Sequence, residues 1–335
     1  MAHFAVLGAT SWGVTLAALL ERAGHDVTLI VRSELEAHAV RAAGGLPRLA
    51  EHPVLSHRVH LTPAPLEPSI AAALTGALVA VPSHAFRASV EAAGLPRALP
   101  VVSAAKGLEL STGSRLTQVL EDLGFARERI GALSGPNLAH EIIQGLPAAA
   151  VVAVPDLALG DLWQASLSSG TFRVYSSADV LGVELAGALK NVVAIAAGAA
   201  WGLGFGANAV AAIMTRGLAE MTRLGVALGA EAATFQGLAG VGDLAATCFS
   251  PLSRNRRFGE LLARGLSPTA AAAEIGETVE GAVTAAAALR LAGSVGVELP
   301  ITAEVAAVIG GERTVPEAMA RLLGRPLARE ELPRR

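Results

Sequence analysis

The sequence predicts an α/β protein in two domains: an N-terminal domain over residues 1–178 built on a mostly parallel sheet, then an all-α domain over 179–325, with a tail over 326–335. Three observations predict it. Up to about residue 180, short β-rich runs alternate with helical patterns, the rhythm of a parallel sheet with helical crossovers. After Ser177 the strand signals stop and long Ala/Leu/Val stretches with helical spacing take over. The length, 335 residues at 52% hydrophobic and 16% charged, is enough for two cores and excludes a disordered chain.

In chain order, His3–Leu7 reads as a strand, Trp12–Ala23 as a helix and Asp26–Val31 as a second strand. Further strands are expected at Ala77–Val81, Pro100–Ala104, Ile130–Leu133, Ala149–Val154 and Phe172–Tyr175. The helical half reads as Val180–Trp201, Asn208–Ala227, Arg256–Arg264, Pro268–Ile275, Val279–Ala292 and Ala303–Gly310. The chain's 70 alanines favour close helix packing, which is expected to support a homodimer, and the tail mixes charge and proline. The run Val192–Ala200 is far short of the ~20 apolar residues that span a bilayer, so no membrane insertion is expected.

The net charge of −3 excludes broad attraction to nucleic acid. The single cysteine, Cys248, excludes an intramolecular disulfide framework and fits a reducing compartment. With no basic n-region at residues 1–8, the expected location is the cytoplasm. Within the 26 basic residues, 24 are arginine and two are lysine, Lys106 and Lys190.

Gly8-Ala9-Thr10-Ser11-Trp12-Gly13 joins the first strand to the first helix. Gly8 and Gly13 suit a tight turn and a close helix–strand approach, and a pyrophosphate fits on the amides of a helix N-terminus. Thr10 replaces the middle glycine of G-x-G-x-x-G and narrows backbone access, yet strand, turn and helix come in the order a Rossmann-type dinucleotide site requires. The second strand ends in Arg32, not in the acid that holds ribose hydroxyls, which favours NADPH. Glu34 and Glu36 are close enough in sequence to leave NADH open.

Lys106 follows the strand Pro100–Ala104, at the strand end where ligands of parallel sheets gather, placed for a phosphate or a reacting oxygen. Lys190 sits in Leu185-Ala-Gly-Ala-Leu-Lys190-Asn191-Val-Val-Ala-Ile195, with no polar residue in the preceding turn. It is either buried and partnered or reaches into a cleft, where desolvation would make proton exchange near neutral pH feasible, or it is a snorkelling side chain at a domain seam. Arginine cannot take the first role. Gly240-Val-Gly242-Asp243-Leu244 is a glycine-flanked acid between helical segments, and Ser253-Arg254-Asn255-Arg256-Arg257-Phe258-Gly259 opens a helix with donors suited to a phosphate dianion. His52, His57 and His60 lie in a proline-containing run read as a loop, and no metal site is assigned.

Gly8-Ala-Thr-Ser-Trp-Gly13, Val81-Pro-Ser-His-Ala-Phe86, Lys106-Gly107, Ser134-Gly-Pro136, Lys190-Asn191, Gly242-Asp243-Leu244 and Ser253–Gly259 follow one another as in bacterial NAD(P)-dependent glycerol-3-phosphate dehydrogenases, which the chain resembles from about residue 3 to 325. The resemblance implies reversible reduction of dihydroxyacetone phosphate to sn-glycerol 3-phosphate, the backbone precursor of glycerophospholipids. It implies that Ser11, Trp12, Arg32, Ala139, Arg254, Glu280 and the neighbouring Thr278 meet the cofactor, and that Lys106 lies between cofactor and substrate. It implies a substrate pocket of Gly135, Asn137, Lys190, Asn191, Asp243, Thr247, Ser253, Arg254 and Asn255, with Lys190 as proton donor and acceptor. Asn137 stands where the bacterial enzymes commonly carry a hydroxyl residue. The rival readings are a two-domain dehydrogenase of the 3-hydroxyacid or ketopantoate type, which would recognise a carboxylate, and a non-catalytic NADP-sensing module, which leaves Lys190 and Asp243 without a role.

Overall fold

A computed structural model describes residues 2–50 and 54–326. The chain divides into two compact units, residues 1–105 with 116–180, and residues 106–115 with 181–335. The expected cut after residue 178 therefore misses the segment 106–115, which belongs with the helices. His52 and the tail beyond Pro326 lie outside the described residues.

The first unit carries eight described strands: β1 (His3–Leu7), β2 (Asp26–Val31), β3 (Val59–Pro63), β4 (Gly76–Val79), β5 (Val101–Ser103), β6 (Ile130–Ser134), β7 (Ala148–Ala153) and β8 (Phe172–Ser177). They form one sheet in the order β3-β2-β1-β4-β5-β6-β7-β8, parallel except for β6 against β7. Its helices are α1 (Ser11–Arg22), α2 (Glu34–Ala43), α3 (Pro68–Ala73), α4 (Phe86–Ala93), α5 (Leu116–Asp122), α6 (Ala139–Ile143) and α7 (Leu157–Leu167). The central strands read as nearly unbroken apolar runs because both faces of the sheet are covered there. Phe4, Val6, Leu29 and Val31 pack with Leu16, Leu20 and Trp163 on one side, and Ala5, Leu7, Ile30 and Val79 with Phe86, Val90 and Leu120 on the other. Each large side chain buried in this way stabilises by about 1.5–3 kcal/mol.

Sequence reading missed β3 and placed His57 and His60 in a loop; His60 lies within β3, exposed. β3 is the edge strand, where alternation is half-polar and Pro63 is tolerated because one side of the strand has no ladder partner.

The second unit is helical: α8 (Val180–Gly202), α9 (Gly206–Ala227), α10 (Ala232–Gln236), α11 (Asp243–Phe249), α12 (Arg254–Ala263), α13 (Pro268–Ile275), α14 (Glu280–Ser294), α15 (Pro300–Ile309) and α16 (Val315–Leu323), with a π-turn at Leu238–Gly242. The expectation that no apolar run is long enough for a bilayer needs correction. α8 has 23 residues and a mean hydropathy of 1.7 in its most apolar window, enough by length and composition to cross one. However, 89% of that window is buried inside the protein, so α8 is the central helix of its unit. Small residues let its neighbours come close: a Cβ on Gly198 would fall 1.9 Å from the Arg256 carbonyl oxygen, and one on Gly259 2.0 Å from that of Ile195. α8 and α12 thus touch backbone to backbone.

Candidate active site

The cofactor turn is built by β1 and α1. Gly8 has φ +110°, a conformation open to glycine, and a Cβ there would meet Val81 Cγ1 at 2.6 Å. A Cβ on Gly13 would fall 1.9 Å from the Gly8 carbonyl oxygen, so the first turn of α1 sits directly on the loop. Thr10 is the N-cap of α1. Its hydroxyl accepts from the Gly13 N–H at 3.0 Å and donates to the Ala80 carbonyl at 2.7 Å. Its hydroxyl is therefore engaged within the protein. The first N–H groups of α1, those of Ser11 and Trp12, have no partner within the helix. Trp12 Nε1 is also buried without a partner among the described residues. Loop, free amides and orphaned indole fit a pyrophosphate-containing dinucleotide.

At the end of β2, the Arg32 guanidinium is 87% exposed and lies 2.6 Å from Glu36 Oε1, while Glu36 Oε2 accepts from the Arg32 backbone N–H at 2.8 Å. Burial alone would raise the Glu36 carboxyl, but its bonds to Arg32 hold it below the usual carboxylate range. Ser11 Oγ accepts from Arg48 Nε at 3.5 Å, a basic neighbour of the turn that sequence reading missed. Also in the first unit, Gly135 has φ +142°, Asn137 has both amide atoms buried with no partner among the described residues, and Ala139 opens α6.

The second unit gathers both lysines around one carboxylate. The π-turn delivers Asp243 as the first residue of α11, 2% exposed. Lys106 Nζ lies 2.6 Å from Asp243 Oδ2, and Lys190 Nζ, from the middle of α8, lies 3.0 Å from Oδ1. Lys190 also donates to Thr247 Oγ1 at 2.7 Å, and that hydroxyl donates to the Asp243 carbonyl at 2.7 Å. Lys190 is thus buried and partnered. Burial pushes the Lys106 ammonium down to about 8 against the attraction of Asp243, with Lys190 adding to the depression. Burial alone would raise the Asp243 carboxyl, but Lys106 and then Lys190 hold it below the usual carboxylate range. The cluster carries net positive charge in a dry site, able to stabilise a developing oxyanion and to give it a proton. Next to Thr247, burial pushes the Cys248 thiol up to about 12, which removes it as a nucleophile.

A chain of amides frames this cluster. Asn191 Nδ2 donates to the Lys106 carbonyl at 3.0 Å, Asn255 Nδ2 donates to Asn191 Oδ1 at 2.9 Å, and the Gly281 N–H donates to Asn255 Oδ1 at 2.9 Å. Asn255, expected to face the phosphate, has thus both amide atoms engaged within the protein. Ser253 N-caps α12, accepting from the Arg256 N–H at 3.2 Å. Arg254 is exposed beside Glu277 at 3.4 Å, whereas Arg256 is taken up by Glu260 and the Trp201 ring. Thr278 and Glu280 lie at the start of α14, partly buried.

A doubly covered, mostly parallel sheet with a dinucleotide turn, and a helical unit bearing a buried Lys–Asp–Lys cluster, define the class: a nicotinamide-nucleotide-dependent dehydrogenase in two parts. The family model of the NAD-dependent glycerol-3-phosphate dehydrogenase N-terminus matches residues 3–159, and that of the C-terminus residues 179–320. The chain is 44% identical over 332 residues to glycerol-3-phosphate dehydrogenase [NAD(P)+] of Moorella thermoacetica, covering 97% of each chain. It is 45% identical over 324 residues to glycerol-3-phosphate dehydrogenase [NAD(P)+] 2 of Mycobacterium bovis, covering 96% of each. The crystal structure of glycerol-3-phosphate dehydrogenase from Coxiella burnetii matches with a TM-score of 0.89 at 33% identity, covering 97% of this chain and 99% of that one. The chain belongs to the NAD-dependent glycerol-3-phosphate dehydrogenase family, as the order of its motifs implied.

Proposed function

We propose that this chain reduces dihydroxyacetone phosphate reversibly to sn-glycerol 3-phosphate with NADPH, accepting NADH as well, and so supplies glycerophospholipid synthesis. The observation that carries the reading is the buried Lys106–Asp243–Lys190 cluster in a chain of this family. Residues 1–178 take the cofactor role and 179–325 the substrate role, with Lys106 serving the second. A cytoplasmic homodimer completes the reading, the alanine-rich helices offering surfaces for close self-packing.

When bound, the nicotinamide supplies a hydride to C2 of the ketone. As charge grows on the C2 oxygen, the Lys190 ammonium stabilises it and donates the proton; in the reverse direction the neutral amine accepts it. Asp243 holds Lys190 in place, Thr247 fixes the direction of its Nζ, and Lys106 adds a second positive charge at the reacting oxygen. Arg254 and the start of α12, capped by Ser253, hold the phosphate through charge and backbone donors, with Asn255 and Asn191 keeping the frame of that pocket. Gly135 and Asn137 line the substrate, the orphaned Asn137 amide offering one donor and one acceptor to its hydroxyl or carbonyl. On the cofactor side, the Gly8–Gly13 turn takes the pyrophosphate with Ser11 and Trp12, Arg32 takes the 2′-phosphate, and Ala139, Arg254, Thr278 and Glu280 complete the contacts.

Initial rates of NADPH oxidation across a panel of dihydroxyacetone phosphate, ketopantoate and a 3-oxoacid, repeated with NADH, test the reading. Turnover confined to dihydroxyacetone phosphate, with NADPH ahead of NADH, is expected. Turnover of a carboxylate substrate alone contradicts the phosphate assignment.

A further inference from the structure

The segment 106–115 ties Lys106 to α8 at two points. At its start, the Lys106 carbonyl accepts from Asn191 on α8. At its end, Arg115 NH1 lies 2.8 Å from Oε2 of Glu184, seven residues before Asn191 on the same helix and so on the same face. Glu184 is 3% exposed and stands in the first two turns of a helix otherwise apolar up to Lys190. Between these ends the segment closes on itself. Leu108 and Arg115 form an antiparallel bridge, the Glu109 N–H donates to the Ser114 carbonyl at 2.9 Å, and Thr112 Oγ1 donates to Glu109 Oε2 at 2.6 Å. Leu108 is fully buried. From α14, the Arg290 guanidinium donates to the Leu110 carbonyl.

We propose that the Arg115–Glu184 pair, with Arg290, is a positioning device that fixes the 106–115 hairpin on α8 and thereby sets Lys106 against Asp243. A buried ion pair is a poor source of stability but a strict one of geometry, since leaving either partner alone is costly. Two residues of chain, Ala104 and Ala105, follow Ser103, the end of β5, before Lys106, so the lysine itself lies outside the strand. The hairpin, not the strand, supplies the fixed frame. Among the charged groups facing Lys106 are Asp243 and Lys190, both in the same unit, and the depth at which the hairpin holds its ammonium decides how strongly burial depresses it. The inference rests on Lys106 being a substrate-facing group, as proposed above.

Because the chain has two lysines, protein labelled with [ε-13C]lysine gives two Cε resonances whose titration can be followed in the free protein, without substrate. The test variant is Arg115→Met with Glu184→Met, which removes both charges of the pair together. The wild-type Lys106 midpoint is expected at about 8. In the double variant it should rise by about one unit or more as the amine gains water. Amide exchange at Glu109 and Gly113 should quicken, and kcat on dihydroxyacetone phosphate should fall about tenfold or more with KM for NADPH unchanged. A folded variant with an unmoved Lys106 midpoint overturns the proposal, whether or not the hairpin amides exchange faster. If the double variant does not fold, Arg290→Met gives the same reading, with a smaller upward shift expected and an unmoved midpoint overturning it. An upward shift in a protein inactive on dihydroxyacetone phosphate leaves the positioning intact and refutes the substrate assignment instead.

Discussion

Lys190 is buried between Asp243 and Thr247 with its ammonium fixed from two sides, a setting in which charge alone is not the requirement. Lys190→Arg keeps the positive charge but cannot release a proton near neutral pH. Its kcat on dihydroxyacetone phosphate is expected to fall by about 10²–10⁴-fold, the usual worth of a general acid, and near wild-type turnover would remove the proton-transfer role. A second buried ion, Glu220 on α9, serves structure instead. It accepts from the Ile301 N–H at 2.6 Å and the Thr302 N–H at 3.3 Å, capping α15 from across the unit. Burial pushes its carboxyl up to about 6, so the folded state holds a proton that the unfolded state has lost between about 4.5 and 6. Stability from this group is therefore greatest below about pH 4.5 and falls by about 2 kcal/mol as pH rises through 6. Urea titrations at pH 4.5 and 7 should show that fall in the wild type and not in Glu220→Gln; parallel behaviour of the two proteins would contradict it.

Among elements, the β2–α2 junction carries the proposed preference for NADPH. Glu36, in the first turn of α2, occupies the Arg32 guanidinium, so if Arg32 takes the 2′-phosphate as proposed, the two anions compete for it. Glu36→Gln should strengthen binding of adenosine 2′,5′-bisphosphate relative to 5′-AMP about fivefold, the scale of an exposed charge interaction of ~1 kcal/mol, by calorimetric titration. An unchanged ratio would sever Arg32 from the 2′-phosphate. Elements with one strong pattern were legible from sequence: β1, β2 and α13 carry the expected bounds because buried strands and a Pro-led helix announce themselves. The stretch from α10 to α11 was not, since Gly237, Gly240 and Gly242 read as breakers. In the fold, Gly240 is a packing residue, its missing Cβ making room for the Phe235 carbonyl within a π-turn. α16 was overlooked although Thr314 and Glu317 form a capping box that its sequence displays.

At the scale of the whole molecule, composition pointed at the buried Lys–Asp–Lys cluster more sharply than local patterns did. In a chain of 24 arginines, both lysines meet one carboxylate, 137 and 53 residues away from it in sequence. Nothing local announces that convergence, nor the return of residues 106–115 to the helical unit, because each depends on contacts between distant segments. Arg115 and Glu184, 69 residues apart, were invisible for the same reason; a lone acid in the apolar start of α8 was the available signal. Transfer of a hydride to C2 of dihydroxyacetone phosphate is tested most directly by mass spectrometry of the product formed with NADPH deuterated at the transferring C4 position. The expected product is sn-glycerol 3-phosphate carrying a single deuterium at C2, one per cofactor consumed. Cofactor oxidation without deuterated glycerol 3-phosphate would contradict that transfer.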